Sequence, residues 1–193
     1  MKKIFFALLL SAALLSSEVF ADDSAFQFAK SRQAAISSAG KSIGKEIDST
    51  LDYDYIIKKS MASNWNSSTE LQRKEIDSSL RLIIGRSLSK RLSGSNLTKV
   101  KWIGYSEAEN GITIVKSTIE VRKPSQETFE VEYHVQKSFG TFKVVDVVFD
   151  GVSTVETYRS QFQKTIKLHG TDYLIGKLKE KVSGLSITED DGF

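Results

Sequence analysis

The stretch Thr128-Phe129-Glu130-Val131-Glu132-Tyr133-His134-Val135 decides the fold class. Phe129, Val131, Tyr133 and Val135 alternate with Thr128, Glu130, Glu132 and His134, so an extended chain puts its apolar side chains on one face and its polar ones on the other. The same period of two continues on both sides, over 99–106, 112–122 and 141–150. Turn residues at Glu109-Asn110-Gly111, Lys123-Pro124-Ser125 and Ser138-Phe139-Gly140 join these runs by links too short for a parallel crossover. The reading is an antiparallel meander of about four strands. A sheet with one apolar face needs a cover, and the flanking sequence must supply it.

On both flanks the period changes to that of a helix. Residues 24–50 are rich in Ala, Ser and Lys, with Phe26, Phe28, Ile36, Ile43 and Ile47 as apolar contacts, and predict helix with a break near Gly40 or Gly44. Residues 52–63, with Tyr55, Ile56 and Met61, predict a short amphipathic helix. Ser67 and Glu70 have capping-box spacing, and Leu71, Ile76, Leu80, Ile83, Ile84, Leu88 and Leu92 recur at helical intervals until Gly94. After the sheet, Ser153 and Glu156 form a second box. Val155, Tyr158, Phe162 and Ile166 then make one stripe that ends at His169-Gly170, and Thr171 opens a last helix carrying Leu174, Leu178 and Val182. The expected fold class is therefore α+β, a twisted antiparallel sheet with N-terminal and C-terminal helices. No repeat or linker divides 22–182, so a single domain is expected there, and 183–193, with Glu189-Asp190-Asp191, is expected to be a disordered tail.

The N-terminus reads as an export signal. Lys2 and Lys3 precede an apolar run from Ile4 to Leu15, and Val19-Phe20-Ala21 places small residues where signal peptidase needs them. Ser11, Ser16, Ser17 and Glu18 cut the run short of the ~20 apolar residues of a membrane span. With no Cys after the run, lipid modification of the new N-terminus is excluded. Residues 1–21 are thus expected to be a cleaved signal peptide, with the soluble mature chain outside the cytoplasm. The chain has no cysteine, which rules out disulfides, thiol chemistry and Cys–zinc sites. The formal net charge of +3 loses one unit with Lys2, Lys3 and Glu18, and the rest is too dispersed for a nucleic-acid binder.

Catalytic motifs fail on inspection. Ala35-Ile36-Ser37-Ser38-Ala39-Gly40-Lys41-Ser42 loosely fits a phosphate-binding loop, but such a loop needs a buried strand before it, and 26–34 is helical in pattern. His134 and His169 are isolated from other ligand types, so no metal and no cofactor is expected. Glu127, Glu130 and Glu132 fit a solvated strand face. The Asn66 and Asn96 sequons carry no argument without a glycosylating host. What remains is apolar: Trp102, Tyr105, Phe129, Tyr133, Phe142, Phe149, Tyr158 and Phe162 gather in the sheet and the helix after it. A filled core and an open apolar cavity both fit that inventory.

The run from Val144 to Phe162, with Gly151-Val152-Ser153 and Tyr158-Arg159-Ser160-Gln161-Phe162, followed by Ile166, Gly170, Asp172, Leu174, Ile175 and Leu178, closely resembles the toluene-tolerance (MlaC) family. Asp54-Tyr55-Ile56, Trp65 and Gln72-Arg73 fall in the family's order upstream. The chain departs from the family in having Pro124 as its only proline, and in lacking an obvious tyrosine late in the long helix, around 85–88.

The resemblance implies a periplasmic phospholipid carrier. Such a carrier is the soluble component of an Mla-type ABC transport system that maintains outer-membrane lipid asymmetry. It works between an outer-membrane lipoprotein–porin complex and an inner-membrane ABC transporter with a periplasmic substrate-receiving subunit. It also implies a monomer that encloses acyl chains between sheet and helices and needs no catalytic group. The residues expected to line the cavity are Tyr105, Phe129, Val131, Tyr133, Val135, Val147, Phe149, Val152, Val155, Tyr158 and Phe162, with Ile83 and Ile84 from the long helix. Asp146 falls on the opposite parity from Val147 and Phe149 and is expected at solvent or at a helix cap. Two other readings stay open: an envelope interaction module without a cavity, and a cone-shaped α+β enzyme acting on a small apolar substrate.

Overall fold

The computed structural model describes residues 23–93, 97–122 and 126–184. The expected signal peptide at 1–21, the expected helix stop at Gly94, the Asn96 sequon, the expected turn at 123–125 and residues 185–193 of the expected tail lie outside the described residues. Ser183 and Gly184, expected in the tail, belong to the last helix.

The alternating pattern folds as read. Strands β1 (Leu97–Glu107), β2 (Ile112–Arg122), β3 (Gln126–Ser138) and β4 (Thr141–Phe149) pair antiparallel in sequence order. A two-residue strand, β5 (Val152–Ser153), adds an edge, so the described sheet has five strands rather than about four. It forms because Asp150 (φ 46°) and Gly151 (φ 80°) both take the left-handed conformation of a tight hairpin turn. Asp150 fixes that turn by accepting the Glu130 N–H on Oδ1 (2.7 Å) while its own N–H donates to the Glu130 carbonyl (2.9 Å). A two-residue strand is too short to show alternation in a sequence.

The helices are α1 (Asp23–Ser38), α2 (Ile43–Thr50), α3 (Tyr53–Met61), α4 (Ser63–Ser67), α5 (Glu70–Ser93), α6 (Thr154–His169) and α7 (Thr171–Gly184). The break between α1 and α2 falls at Gly40 (φ 51°), while Gly44 lies inside α2. The short helix expected over 52–63 starts on Asp52, whose carboxylate accepts the Tyr55 N–H (3.0 Å), and stops at Ala62, where φ is 49°. The first capping box is corrected. Ser67 ends α4, its hydroxyl donating back to the Asn64 carbonyl (3.2 Å), and the chain is extended at Ser68. Thr69 and Gln72 cap α5 instead: Thr69 Oγ1 accepts the Gln72 N–H (3.2 Å), and Gln72 Oε1 accepts the Thr69 N–H (3.0 Å). Leu71, counted among the recurring apolar residues, is 70% exposed, because at five residues before Ile76 it lies about 140° around the helix from the buried side.

Helix α5 packs on α2, α3 and α7, and α6 packs on α3 and α7. Their aliphatic stripes meet in one core containing Ile47, Ile57, Met61, Ile76, Leu80, Ile83, Leu174 and Phe162. Gly85 lets Tyr53 lie close to α5: a Cβ there would sit 3.1 Å from the Tyr53 hydroxyl, which donates to Asp48 (2.8 Å). Burial and the Asp48 carboxylate push the Tyr53 phenol well above its ordinary range. The link from α2 to α3 is stitched to β4 by the Asp52 N–H donating to the Val144 carbonyl (2.9 Å) and Lys143 Nζ donating to the Ser49 carbonyl (2.6 Å). Among the described residues, no helix is long and apolar enough to cross a membrane.

Candidate functional site: the apolar face of the sheet

Strand register shows which side chains share a face. Tyr105, Val115, Tyr133 and Val147 form one row across β1 to β4, and Trp102, Ser117, Val131 and Phe149 form the next. Ile119 and Phe129 begin a third, and Val135 stands opposite Val144. The expected strand residues Tyr105, Phe129, Val131, Tyr133, Val135, Val147 and Phe149 are therefore all on this face. Thr128, Glu130, Glu132 and His134 take the other. There the Lys116 ammonium beside Glu132 holds that carboxyl below its usual range, and His134 Nε2 lies 3.6 Å from Glu132.

Two bulges shape the face. In β1 the register skips at Ile103, so Trp102 and Tyr105, three residues apart, point the same way while Ile103 is 60% exposed. In β4 it skips at Val145, so Val144 and Val147 share the face. The centre is floored by small buried side chains, Val115, Ser117 and Val131, and rimmed by the half-buried rings of Trp102, Tyr105, Phe129, Tyr133 and Phe149. Small side chains at the centre and broad rings around them make up one apolar face. Burial raises the Tyr133 phenol, and the neighbouring Ser117 hydroxyl pulls it partly back, though the two make no hydrogen bond of normal geometry.

The rest of the expected set divides. Val155 and Phe162 of α6 are buried in the cluster that also contains Val115, Val135 and Val144, and Tyr158 stacks on Phe162 at 5.5 Å. Ile83 and Ile84 are buried in the same cluster from α5. Val152 pairs with Phe149 at the sheet edge but is 62% exposed. It lies at the lip of an open groove of ≈590 Å³ that runs past Ser153, Glu156 and Gln161. Trp102, Val115 and Ile119 also belong to the face, with Phe26 of α1 packed against it, and were not in the expected set.

Helix α1 covers the face. Ala25 and Ala29, one turn apart and fully or nearly fully buried, let it lie close to β2, β3 and β4. Phe26 meets Trp102 edge-on (5.9 Å) and Tyr105 at 5.2 Å, and Phe28 meets Phe142 at 5.9 Å. The loosely phosphate-loop-like run at 35–42 closes α1 and forms the turn after it, with helix rather than strand before it.

Asp146 joins sheet to α6. It is 8% exposed and accepts the Val147 N–H (2.8 Å), the Val155 N–H (3.1 Å) and the Ser153 hydroxyl (2.5 Å). Ser153 in turn accepts the Glu156 N–H (3.0 Å). Of the two expected places for Asp146, the structure selects the helix cap. Although His134 stands opposite Asp146, the serine bonds directly to the aspartate, so the three are not ordered for nucleophilic catalysis. Among the described residues no cluster of three or more His, Asp and Glu side chains is arranged to hold a metal ion.

The fold matches that of a solved protein, the phospholipid-binding protein from Ralstonia solanacearum in complex with a phospholipid. The TM-score is 0.70 at 21% identity, over 84% of this chain and 98% of that one. No curated protein matches the sequence significantly. The family profile described as "MlaC protein" matches residues 21–180, which take in every strand, every capping residue and the whole apolar face just described, and the chain accordingly belongs to the MlaC family.

Proposed function

We propose that this protein is a phospholipid carrier of the periplasm, working as the soluble component of an Mla-type ABC transport system. The observation that carries the reading is the apolar sheet face, floored by Val115, Ser117 and Val131 and rimmed by partly buried aromatic rings, in a chain that belongs to the MlaC family. A phospholipid-bound protein of the same fold supports it. Moving a methylene from hydrocarbon into water costs about 0.8 kcal/mol, so two chains of ~15 carbons would cost on the order of 20 kcal/mol, and a free lipid does not cross an aqueous space. A carrier has to replace that hydrocarbon contact, and an apolar face does so without a catalytic group.

In this reading the acyl chains lie between the sheet and the helices, in contact with Val131, Tyr133 and Phe149, and α1 yields to admit them. The signal-like residues 1–21 supply export, with cleavage near Ala21. The partners are an outer-membrane lipoprotein–porin complex and an inner-membrane ABC transporter with its substrate-receiving subunit.

Native mass spectrometry of protein purified from its own cells tests the proposal: a mass increment of one or more phospholipids is expected. Tyr133→Arg, which drives a charge into the apolar face, reduces the retained lipid several-fold in protein that remains folded by circular dichroism. Consistent absence of lipid from wild-type protein would overturn the carrier. That outcome would favour the interaction module, a reading to which the closeness of α1 to the sheet already lends weight.

A further inference from the structure

A second concavity lies on the solvent side of the helical layer, formed by α3, α4 and the first turns of α5. It has a volume of ≈390 Å³, enough for a small polar ligand. Lys58, Arg73 and Lys74 line it, with Trp65 as an aromatic wall and Glu70 among its acidic groups. Its remaining carboxylates are already engaged: Asp54 and Asp77 both pair with Arg81. The three cations form no ion pair among the described residues, and Arg73 Nε is shielded from solvent without a hydrogen-bond partner. A guanidinium N–H removed from water and left unsatisfied is costly, so a shift of the Arg73 side chain toward an acceptor in the concavity is favoured. The positive end of the 24-residue helix α5 adds to the field around Arg73.

We propose that this concavity is a binding site for a phosphate ester or phosphate anion, held by Arg73, Lys58 and Lys74 against Trp65. An Arg presents a planar fork of donors that matches phosphate oxygens, and the two lysines supply adaptable charge around it. The buried residues of α3, Tyr53, Ile56 and Ile57, face the core, whereas Asp54 and Lys58 face outward, so the site is separate from the apolar face of the sheet. A carrier with such a site grips the headgroup of a lipid other than the one it carries, or free phosphate, on a surface its acyl-chain contacts do not use. The proposal does not require the carrier reading to hold.

The chain has two tryptophans, one in each region: Trp65 in the charged concavity and Trp102 on the apolar face. The whole protein labelled with 5-fluorotryptophan therefore reports on both by fluorine NMR. Titration with glycerophosphoethanolamine or with inorganic phosphate is expected to shift the Trp65 resonance saturably and leave Trp102 in place. Arg73→Gln should weaken binding about tenfold or more, and Lys58→Gln, on a different helix, should weaken it less. Tighter binding of the glycerophosphoester assigns the site to a headgroup, and tighter binding of inorganic phosphate assigns it to the free anion. No saturable Trp65 shift with either probe at millimolar concentration, or a shift undiminished in both variants, overturns the proposal. Lipid co-purifying with the Arg73→Gln protein is unchanged, so failure here is distinct from failure of the carrier reading.

Discussion

The helical layer and the apolar face of the sheet are both built from hydrophobic side chains but packed to different ends. In the helical layer Ile57, Met61, Ile76, Leu80 and Ile83 are fully or almost fully buried, in a cluster that also draws Ile47 from α2 and Leu174 from α7. On the sheet the largest side chains, Trp102, Tyr105, Phe129 and Phe149, are only partly buried, and across β2 and β3 their cover is mainly the single helix α1, approaching on Ala25 and Ala29. Branched aliphatic chains interlock at crystal-like density and hold one arrangement. Broad rings beneath a helix that meets them through small residues can trade one apolar neighbour for another at little cost. In the proposed carrier, the first region would hold the fold and the second would exchange its contacts with the ligand.

The comparison breaks most sharply at Leu80. Truncation to Ala removes side-chain volume from the tightly packed region and is expected to cost about 2–5 kcal/mol, measured by denaturant unfolding. Lipid per folded molecule should stay the same, and a proportional loss of lipid would show that the two regions are not separable. Asp146→Ala acts at their junction. It leaves the Val147 and Val155 N–H groups without their acceptor and is expected to cost about 2–3 kcal/mol. It should also loosen α6 against β4, seen as faster hydrogen exchange at Val155 and Glu156 than in the α5 core. The smallest effect on stability is expected from Phe26→Ala. Its half-buried ring contributes about 1 kcal/mol, but losing its contacts with Trp102 and Tyr105 frees α1 from the sheet. Lipid transfer to acceptor vesicles should become several-fold faster. An unchanged rate would mean that α1 does not govern access.

Much of this was legible in the residues. Strict alternation over 128–135 names one face of β3 without help, and each neighbouring residue on that strand confirms the parity of the last. The strand-to-helix exit is equally plain, because Ser153 must cap whatever helix begins at Thr154. The same rule applied to Ser67 failed: a five-residue helix, α4, intervened, and Thr69 with Gln72 offered an equally good box two residues later. Trp102 was missed as a partner of Tyr105 because an unbroken strand puts residues three apart on opposite faces, and only the bulge at Ile103 turns them together. In β2 both parities contain apolar residues, Ile112 and Ile114 on one and Val115 and Ile119 on the other, so no period chooses between them. The charged concavity gave no signal, since Lys58, Trp65 and Arg73 come from three helices whose packing no local pattern encodes.

By itself the sequence determined the elements and their polarity: periodicity, caps and turn residues act over a few positions, and the energies that enforce them are local. The full membership of the apolar face, the closeness of α1 and the convergence of three cations around Trp65 were decided only by tertiary structure. Bulges set the final register, and small residues at helix–sheet crossings set how near two elements approach. Those distances arise from the packing of segments far apart in the chain, which no single segment carries.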